Sequence, residues 1–204
     1  MALAIDMIGT HLASGTKTYN LNFCDYINSQ NINEKIYIFI TKDYLNNINL
    51  NSNPKIIYII KSTVFSNTFL RILWMQFFLP FELKRLKVQK LYAPMNMGPI
   101  FLRLFNIKLI LGLHSNLPWV YFSKMPGNFF RNIFTRFLME KSIFACDILI
   151  VASKFAKNEI INLLKIKEKY GDKVYFKVIG SDKYSNEELY VAKGFEKWLS
   201  KSIS

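Results

Sequence analysis

Short apolar runs alternate with longer helical patterns along most of the chain, and this alternation restricts the possible folds more than any other feature. The runs are rich in isoleucine, valine, tyrosine and leucine, residue types that favour strands. They cover residues 3–8, 35–41, 55–60, 90–93, 107–113, 147–152 and 174–179. Strand–helix alternation is typical of a doubly wound, mainly parallel sheet, so we predict an α/β fold.

Apolar residues at helical spacing predict the helices between these strands. The helices are marked by Tyr19, Phe23, Tyr26 and Ile27; by Phe69, Leu70, Leu73, Trp74, Phe77 and Phe78; by Phe130, Ile133, Phe134, Phe137 and Leu138; and by Ala156, Ile160, Leu163 and Leu164. We expect Pro80 to stop the second helix and Ser153 to cap the fourth. Residues 186–201 are predicted to form a terminal helix after a polar linker that begins at residue 181.

The composition fits one globular domain. A chain of 204 residues, 51% of them hydrophobic, can fill one core, and 20% charged residues argue against disorder. Cys24 and Cys146 lack metal-ligand spacing, so we expect them to be small buried residues in a reducing compartment. We see no secretory signal and no convincing membrane-spanning helix, because Arg71 and Gln76 interrupt the most apolar stretch.

The net charge of the chain is +13, from 27 basic and 14 acidic residues. Such an excess favours polyanions: nucleic acid, anionic lipid head groups or phosphorylated ligands. A general bias toward lysine is the alternative explanation. The basic residues are scattered rather than blocked, and no nucleic-acid-binding motif accompanies them, so nucleic acid is not an expected partner.

His114 ends the apolar run of residues 109–113, and a polar loop with a proline follows it. A buried parallel strand that delivers a polar side chain at its carboxyl end has this pattern. In open α/β sheets, ligands bind just outside these ends. His114 is therefore a candidate site residue, and a structural histidine bonded to backbone groups is the alternative.

Four segments, in this order, resemble the N-terminal domain of GT-B glycosyltransferases of the retaining family 4. The first joins Ile-Asp-Met to Ser-Gly-Thr-Lys-Thr-Tyr-Asn-Leu, and the second is Leu-Arg-Ile-Leu-Trp-Met-Gln-Phe-Phe-Leu-Pro. The third begins with Leu-Tyr-Ala-Pro-Met-Asn and includes the strand that ends at His114; the fourth is Cys-Asp-Ile-Leu-Ile-Val-Ala-Ser-Lys-Phe-Ala-Lys. The resemblance covers residues 2–180, but Ser115 stands where the family often has aspartate.

The resemblance implies a single Rossmann-like half-domain over residues 1–180, followed by the linker and helix of residues 181–204. It implies transfer of a sugar from a nucleotide-sugar to a glycan or lipid-linked acceptor, without a metal or a further cofactor. Family members carry a second, donor-binding domain, for which we expect no room here. We therefore expect the chain to need a donor-binding partner chain, and the alternative is a non-catalytic module that binds a membrane or a partner.

The resemblance also suggests roles for particular residues. Gly15, Thr16 and Lys17, expected in the loop between the first strand and the first helix, would face the donor phosphates or the acceptor; an ordinary strand–helix turn is the alternative. His114 would lie beside the sugar–phosphate bond as the catalytic residue. Asn96, Ser115 and Asn116 are weaker candidates for contacts with the acceptor.

Basic residues accompany the aromatic residues of the second and third predicted helices. We expect these helices to cover the sheet with their aromatic faces. The alternative is that the aromatic and basic residues rest on an anionic bilayer, which would make the protein a cytoplasmic one held peripherally on the inner face of the membrane.

Overall fold

The computed structural model describes residues 2–9, 14–47, 53–114, 116–122, 128–166 and 175–178. Within this part of the chain, one sheet contains seven strands, all parallel to their neighbours. The strands are β1 (Ala2–Asp6), β2 (Lys35–Thr41), β3 (Ile56–Lys61), β4 (Lys90–Ala93), β5 (Lys108–Leu113), β6 (Ile148–Val151) and β7 (Tyr175–Val178). Every predicted strand is present, and the predicted α/β fold is confirmed.

The strand order is β3-β2-β1-β4-β5-β6-β7, so the direction of winding reverses between β1 and β4. Ile5 of β1 lies opposite Ile38 of β2 on one side and opposite Tyr92 of β4 on the other. This reversal is the topological switch point of a doubly wound sheet, where a crevice opens at the carboxyl ends of the strands. The strand order therefore places a candidate binding region before any side chain is considered.

The α-helices of the described residues are α1 (Ser14–Ser29), α2 (Thr68–Leu73), α3 (Leu79–Arg85), α4 (Leu117–Val120), α5 (Phe129–Ala145) and α6 (Lys154–Leu163), with a π-helical turn at Trp74–Phe78. The four helices predicted before residue 181 are present, and the short helix α4 was not predicted. Ser153 caps α6 as predicted, because its hydroxyl accepts the Ala156 backbone N–H at 3.1 Å. The predicted terminal helix and the domain boundary at residue 181 lie outside the described residues.

The prediction that Pro80 stops the second helix is wrong. The helical path continues from α2 through the π-helical turn into α3, and Pro80 lies in the first turn of α3. The Leu79 N–H bonds to the Trp74 carbonyl, which is the wide spacing of a π-helix. Proline lacks the N–H that a residue inside a continuous helix would donate to the preceding turn, and the widened π-helical turn lies immediately before Pro80.

The sheet buries an apolar core on each face. On one face α1 packs Phe23, Cys24 and Ile27 against strand residues that include Ile5 and Ile38. On the other face lie buried residues of α2, the π-helical turn, α3, α5 and α6. Burial raises the pKa of the Cys24 and Cys146 thiols to about 12, as expected for small buried residues.

The expectation that the aromatic residues of the second and third helices cover the sheet is wrong for most of them. Trp74 is buried. The exposed apolar residues of these helices are Phe69, Phe77, Phe78, Phe81, Phe129, Phe130, Ile133, Phe134 and Phe137. The side of α5 that faces the sheet carries Leu138, Met139 and Ile143 instead, together with the polar Asn132 and Ser142. Helical spacing identifies an apolar stripe, and it does not say which stripe meets the sheet.

Candidate functional site

The switch point brings the ends of β1, β4 and β5 together at one edge of the sheet. We call this edge the carboxyl rim. β1 ends at Asp6, β4 at Ala93 and β5 at Leu113, which immediately precedes His114. The candidate site is built on this rim.

His114 is exposed at the carboxyl rim and fixed there through its backbone and its ring. The backbone N–H of His114 donates to Oδ1 of Asn96 at 2.6 Å. The imidazole ring of His114 and the ring of Tyr19 make an edge contact, with 4.8 Å between their centroids. The protein around the ring lowers the pKa of His114 through desolvation, and a hydrogen bond to the Pro94 backbone partly opposes this effect. The imidazole is therefore neutral at pH 7 and can exchange hydrogen bonds with hydroxyl groups.

A tyrosine pair lies beneath His114. The hydroxyl oxygens of Tyr19 on α1 and Tyr92 on β4 are 3.0 Å apart. Burial raises the pKa of Tyr19 to about 12 and also raises the pKa of Tyr92, so both phenols keep their protons. Phe23 contacts both rings from α1. The pair connects α1 to the strands and fixes the place where His114 rests.

Gly112 makes room for this arrangement. A Cβ at residue 112 would lie 3.1 Å from both the Tyr92 hydroxyl and the Pro94 Cα, and 3.5 Å from Nε2 of His114. Sequence reasoning missed Tyr19, Tyr92 and Gly112 as parts of the site. The available signal was the glycine that interrupts an otherwise apolar strand, because such a glycine often marks the close approach of another group.

Asn96 lies beside His114, as part of the turn after β4. Its backbone has a φ of 61°, a conformation that asparagine tolerates better than most residues. Its N–H donates to the Gly112 carbonyl at 3.0 Å, while its side-chain oxygen accepts the His114 N–H. This oxygen is therefore committed to holding the main chain of His114.

Asn116 connects the loop after β5 to α6. Its side-chain amide donates to a carboxylate oxygen of Glu159, and both residues are half-buried. Ser115, the other acceptor-contact candidate in this loop, lies outside the described residues.

Gly15, Thr16 and Lys17 are not in a loop: α1 begins at Ser14, so they occupy its first turn. The expectation that Gly15 forms part of the strand–helix loop is wrong in this respect. Tyr19 lies one turn further along α1 and contacts His114, so the beginning of α1 and His114 lie at the same rim.

A buried pair of opposite charges lies at the end of β1, and sequence reasoning did not identify it. Asp6 ends β1, and Arg71 comes from α2; both side chains are buried. Burial raises the pKa of Asp6, and the charge of Arg71 opposes the rise; burial lowers the pKa of Arg71, and Asp6 opposes that fall. The signal in the sequence was a charged residue inside each of two apolar segments.

These features define a doubly wound α/β domain with polar side chains at its switch point. No protein-family model and no curated protein matches the sequence. Among solved structures, the chain is similar to the apo form of the lipopolysaccharide outer core galactosyltransferase WaaB, with 12% identity and a TM-score of 0.46 over 88% of this chain. It is also similar to TcCGT1 in complex with UDP, with 12% identity and a TM-score of 0.46 over 98% of this chain. The chain spans 45% and 55% of the lengths of these two proteins.

Proposed function

We propose that this chain is the acceptor-side half of a GT-B glycosyltransferase, which transfers a sugar from a nucleotide-sugar to a glycan or lipid-linked acceptor. The observation that carries the proposal is the position of His114, which directly follows the central strand β5 beside the switch point and presents a neutral imidazole there. The fold alone would suit many functions, and the site is what favours this one.

The proposed role of His114 is a hydrogen bond to a hydroxyl of the transferred sugar. A neutral ring whose N–H bonds to the Pro94 backbone leaves its second nitrogen as an acceptor. Asn96 and Tyr19 hold the main chain and the ring in place, so the imidazole does not have to reorganise as the reaction proceeds.

The proposed donor contacts are backbone groups of Gly15, Thr16 and Lys17. The first N–H groups of an α-helix have no partner within the helix and carry partial positive charge, which suits a diphosphate. Asn96, Ser115 and Asn116 stay predictions as acceptor contacts. A donor-binding half, in a partner chain or elsewhere in the protein, completes the proposed enzyme.

The proposal is tested by mixing the chain with candidate donor-binding halves and following a radiolabelled sugar from UDP- or GDP-sugars to lipid-linked and glycan acceptors. We expect label in the acceptor only when both halves are present. Calorimetric titration of the chain alone should show no micromolar dissociation constant for intact nucleotide-sugars, that is, no binding free energy near about −8 kcal/mol. Micromolar binding by the chain alone would contradict the half-enzyme proposal.

We also propose that the protein rests on the cytoplasmic surface of an anionic membrane. The supporting observation is the apolar outer face of α5, formed by Phe129, Phe130, Ile133, Phe134 and Phe137, all of which are exposed. The basic groups of Arg136 and Lys141 lie 5.7 Å and 5.3 Å from the ring centroids of Phe122 and Phe137. Aromatic and basic side chains on one helix suit the interface between lipid head groups and acyl chains. Among the described helices, none has the length and apolar character needed to cross a membrane.

A further inference from the structure

The loop that supports His114 runs from residue 94 to residue 100, between β4 and β5, and we call it the 94–100 segment. It contacts His114 twice. The Pro94 carbonyl accepts a hydrogen bond from the imidazole, and the Asn96 side chain accepts the backbone N–H of His114. The segment contains no strand or helix, so its conformation depends on what holds its other end.

Two buried polar side chains hold the other end of the 94–100 segment. Nε2 of Gln76 donates to the Gly98 carbonyl at 3.1 Å, and Oε1 of Gln76 accepts the Ile100 N–H at 2.9 Å. The Ser142 hydroxyl, on α5, accepts the Gly98 N–H at 3.1 Å and lies 2.9 Å from the Gly98 carbonyl oxygen. Gln76 is 8% exposed and Ser142 is fully buried. Because an unpaired buried polar group is costly, these bonds fix the segment firmly.

Gly98 allows the segment to lie close against β5. A Cβ at this residue would lie 2.9 Å from Cδ1 of Leu109 and 3.1 Å from its Cδ2. Two residues earlier, the Asn96 N–H donates to the Gly112 carbonyl at 3.0 Å, near the end of the same strand. The segment is therefore attached to β5 at both points, and a displacement at Gly98 passes to Asn96 over two residues.

Gln76 lies in the π-helical turn of Trp74–Phe78. Trp74, Met75 and Gln76 are all buried, so the turn presents two apolar side chains and one amide to the interior. A π-helical turn inside a helix often occurs at a functional site. The two bonds to the 94–100 segment explain why a polar residue interrupts the most apolar stretch of the chain.

We propose that Gln76 is a positioning residue for the candidate site. Together with Ser142 it fixes the 94–100 segment, and the segment in turn holds His114 at the carboxyl rim. A displacement of about 1 Å at a reacting group can lower a rate about a hundredfold, so such support has a catalytic consequence. That consequence rests on the proposed function, whereas the link between Gln76 and His114 does not.

Amide hydrogen exchange of the whole chain, followed by NMR, tests this link without sugar transfer. Gln76→Met keeps the length of the side chain and loses both hydrogen bonds, and Ser142→Ala removes the bonds from α5. We expect the backbone N–H groups of His114 and Asn96 to exchange at least about tenfold faster in each variant, because the segment opens locally. The N–H of Ile38 in β2, on the other side of β1 from β4, should change much less.

Leu83→Val is the matched control, since Leu83 is a fully buried residue of α3 on the same helical path and its side chain cannot form a hydrogen bond. It should accelerate exchange evenly, as a loss of global stability does. Thermal melts show whether Gln76→Met folds, and Ser142→Ala supplies a second variant if it does not. Equal acceleration at His114 and Ile38 in the variants, or none at His114, overturns the proposal. A His114 N–H that is unprotected in the wild type also overturns it.

The catalytic consequence is measured in a reconstituted two-half enzyme. Gln76→Met should lower kcat about tenfold and leave the KM for the nucleotide-sugar nearly unchanged, because it displaces a group that acts in the transition state. Leu83→Val should keep its kcat per folded molecule, and an unchanged kcat in Gln76→Met overturns the catalytic consequence. Selective exchange at His114 without sugar transfer by the wild type would keep the positioning link and refute the proposed function. Sugar transfer with even exchange would do the reverse.

Discussion

Helices α1 and α5 both carry aromatic residues at helical spacing, but they use them in opposite ways. Phe23 of α1 is 5% exposed and packs against the sheet, whereas Phe130 of α5 is 80% exposed. On α1 the aromatic residues reach the site, because Tyr19 contacts both Tyr92 and His114. On α5 they face outward among basic residues. The comparison shows that aromatic residues at helical spacing identify one face of a helix, and that only the tertiary packing shows whether this face meets the sheet.

The largest expected difference between the two helices is in stability. Phe23→Ala should lower the free energy of unfolding by about 3–5 kcal/mol, because it leaves a cavity in the core. Phe130→Ala should change it by less than about 0.5 kcal/mol, because the ring is outside the core. Urea unfolding of both variants, followed by circular dichroism, measures the difference. Similar losses for the two variants would remove the distinction between the helices.

For the site on the α1 side, we predict an effect on the rate of sugar transfer. In a reconstituted two-half enzyme, His114→Ala should lower turnover about a hundredfold, or roughly 3 kcal/mol in barrier height, while folding stays almost unchanged. Ile143→Ala is the contrasting variant, since it removes a fully buried side chain of α5 away from the site and should lose stability while it keeps its activity per folded molecule. Initial rates and thermal melts on the same samples separate the two. A structural role for His114 would instead lower the melting temperature and preserve the rate.

For the α5 side, we predict an effect on adsorption to anionic membranes. Replacing both Arg131 and Lys141 by glutamine should weaken adsorption to anionic vesicles by about 1 kcal/mol per residue, and added salt should weaken it further. Replacing Lys35 and Lys55, which are exposed at the amino edge of the sheet, removes the same charge and should have less effect. Co-sedimentation with anionic and neutral vesicles tests both pairs. Equal binding to the two kinds of vesicle, unchanged by salt, would argue against an electrostatic contribution.

The smallest expected effect is a pH dependence from His114. Its pKa is lowered from 6.5 in the folded protein, mainly by desolvation, so the folded state binds the proton less readily than the unfolded chain does. The contribution of His114 to the free energy of unfolding is fully present above pH 6.5. It is lost as the pH falls through the pKa that His114 has in the folded protein. The chain has one other histidine, His11, and His11→Asn is the control. Denaturant titrations from pH 8 to pH 5 should show this loss in wild type and in His11→Asn, and a smaller one in His114→Asn. An unchanged slope in His114→Asn would show that other groups cause it.

Local sequence patterns predicted the strands well because each buried parallel strand is a short apolar run with polar ends. The predicted ranges 35–41 and 90–93 coincide with β2 and β4. Ser153 was identified as a cap from its place before an apolar helical repeat, which is a local relation. The place of His114 after a strand could also be predicted from the sequence, because the apolar run of the strand stops where this polar residue begins.

The errors concern one local change of helical spacing and several relations between distant segments. Pro80 continues the helical path because a π-helical turn precedes it, and the sequence pattern alone does not reveal the change of helical spacing. The Tyr19–Tyr92 contact joins residues from α1 and β4, and the Gly9–Arg71 contact joins the end of β1 to α2. Neither contact has a short-range signature.

The amino-acid sequence by itself determined the α/β class, the strands and the polar rim at the end of β5, because these follow from hydrophobic periodicity and from where apolar runs stop. Tertiary structure decided which aromatic stripe became core, which tyrosines support His114, and that Arg71 is buried beside Gly9 with two donors unbonded. The physical reason is that periodicity describes one segment at a time, whereas burial and electrostatic environment depend on all the segments that surround a side chain.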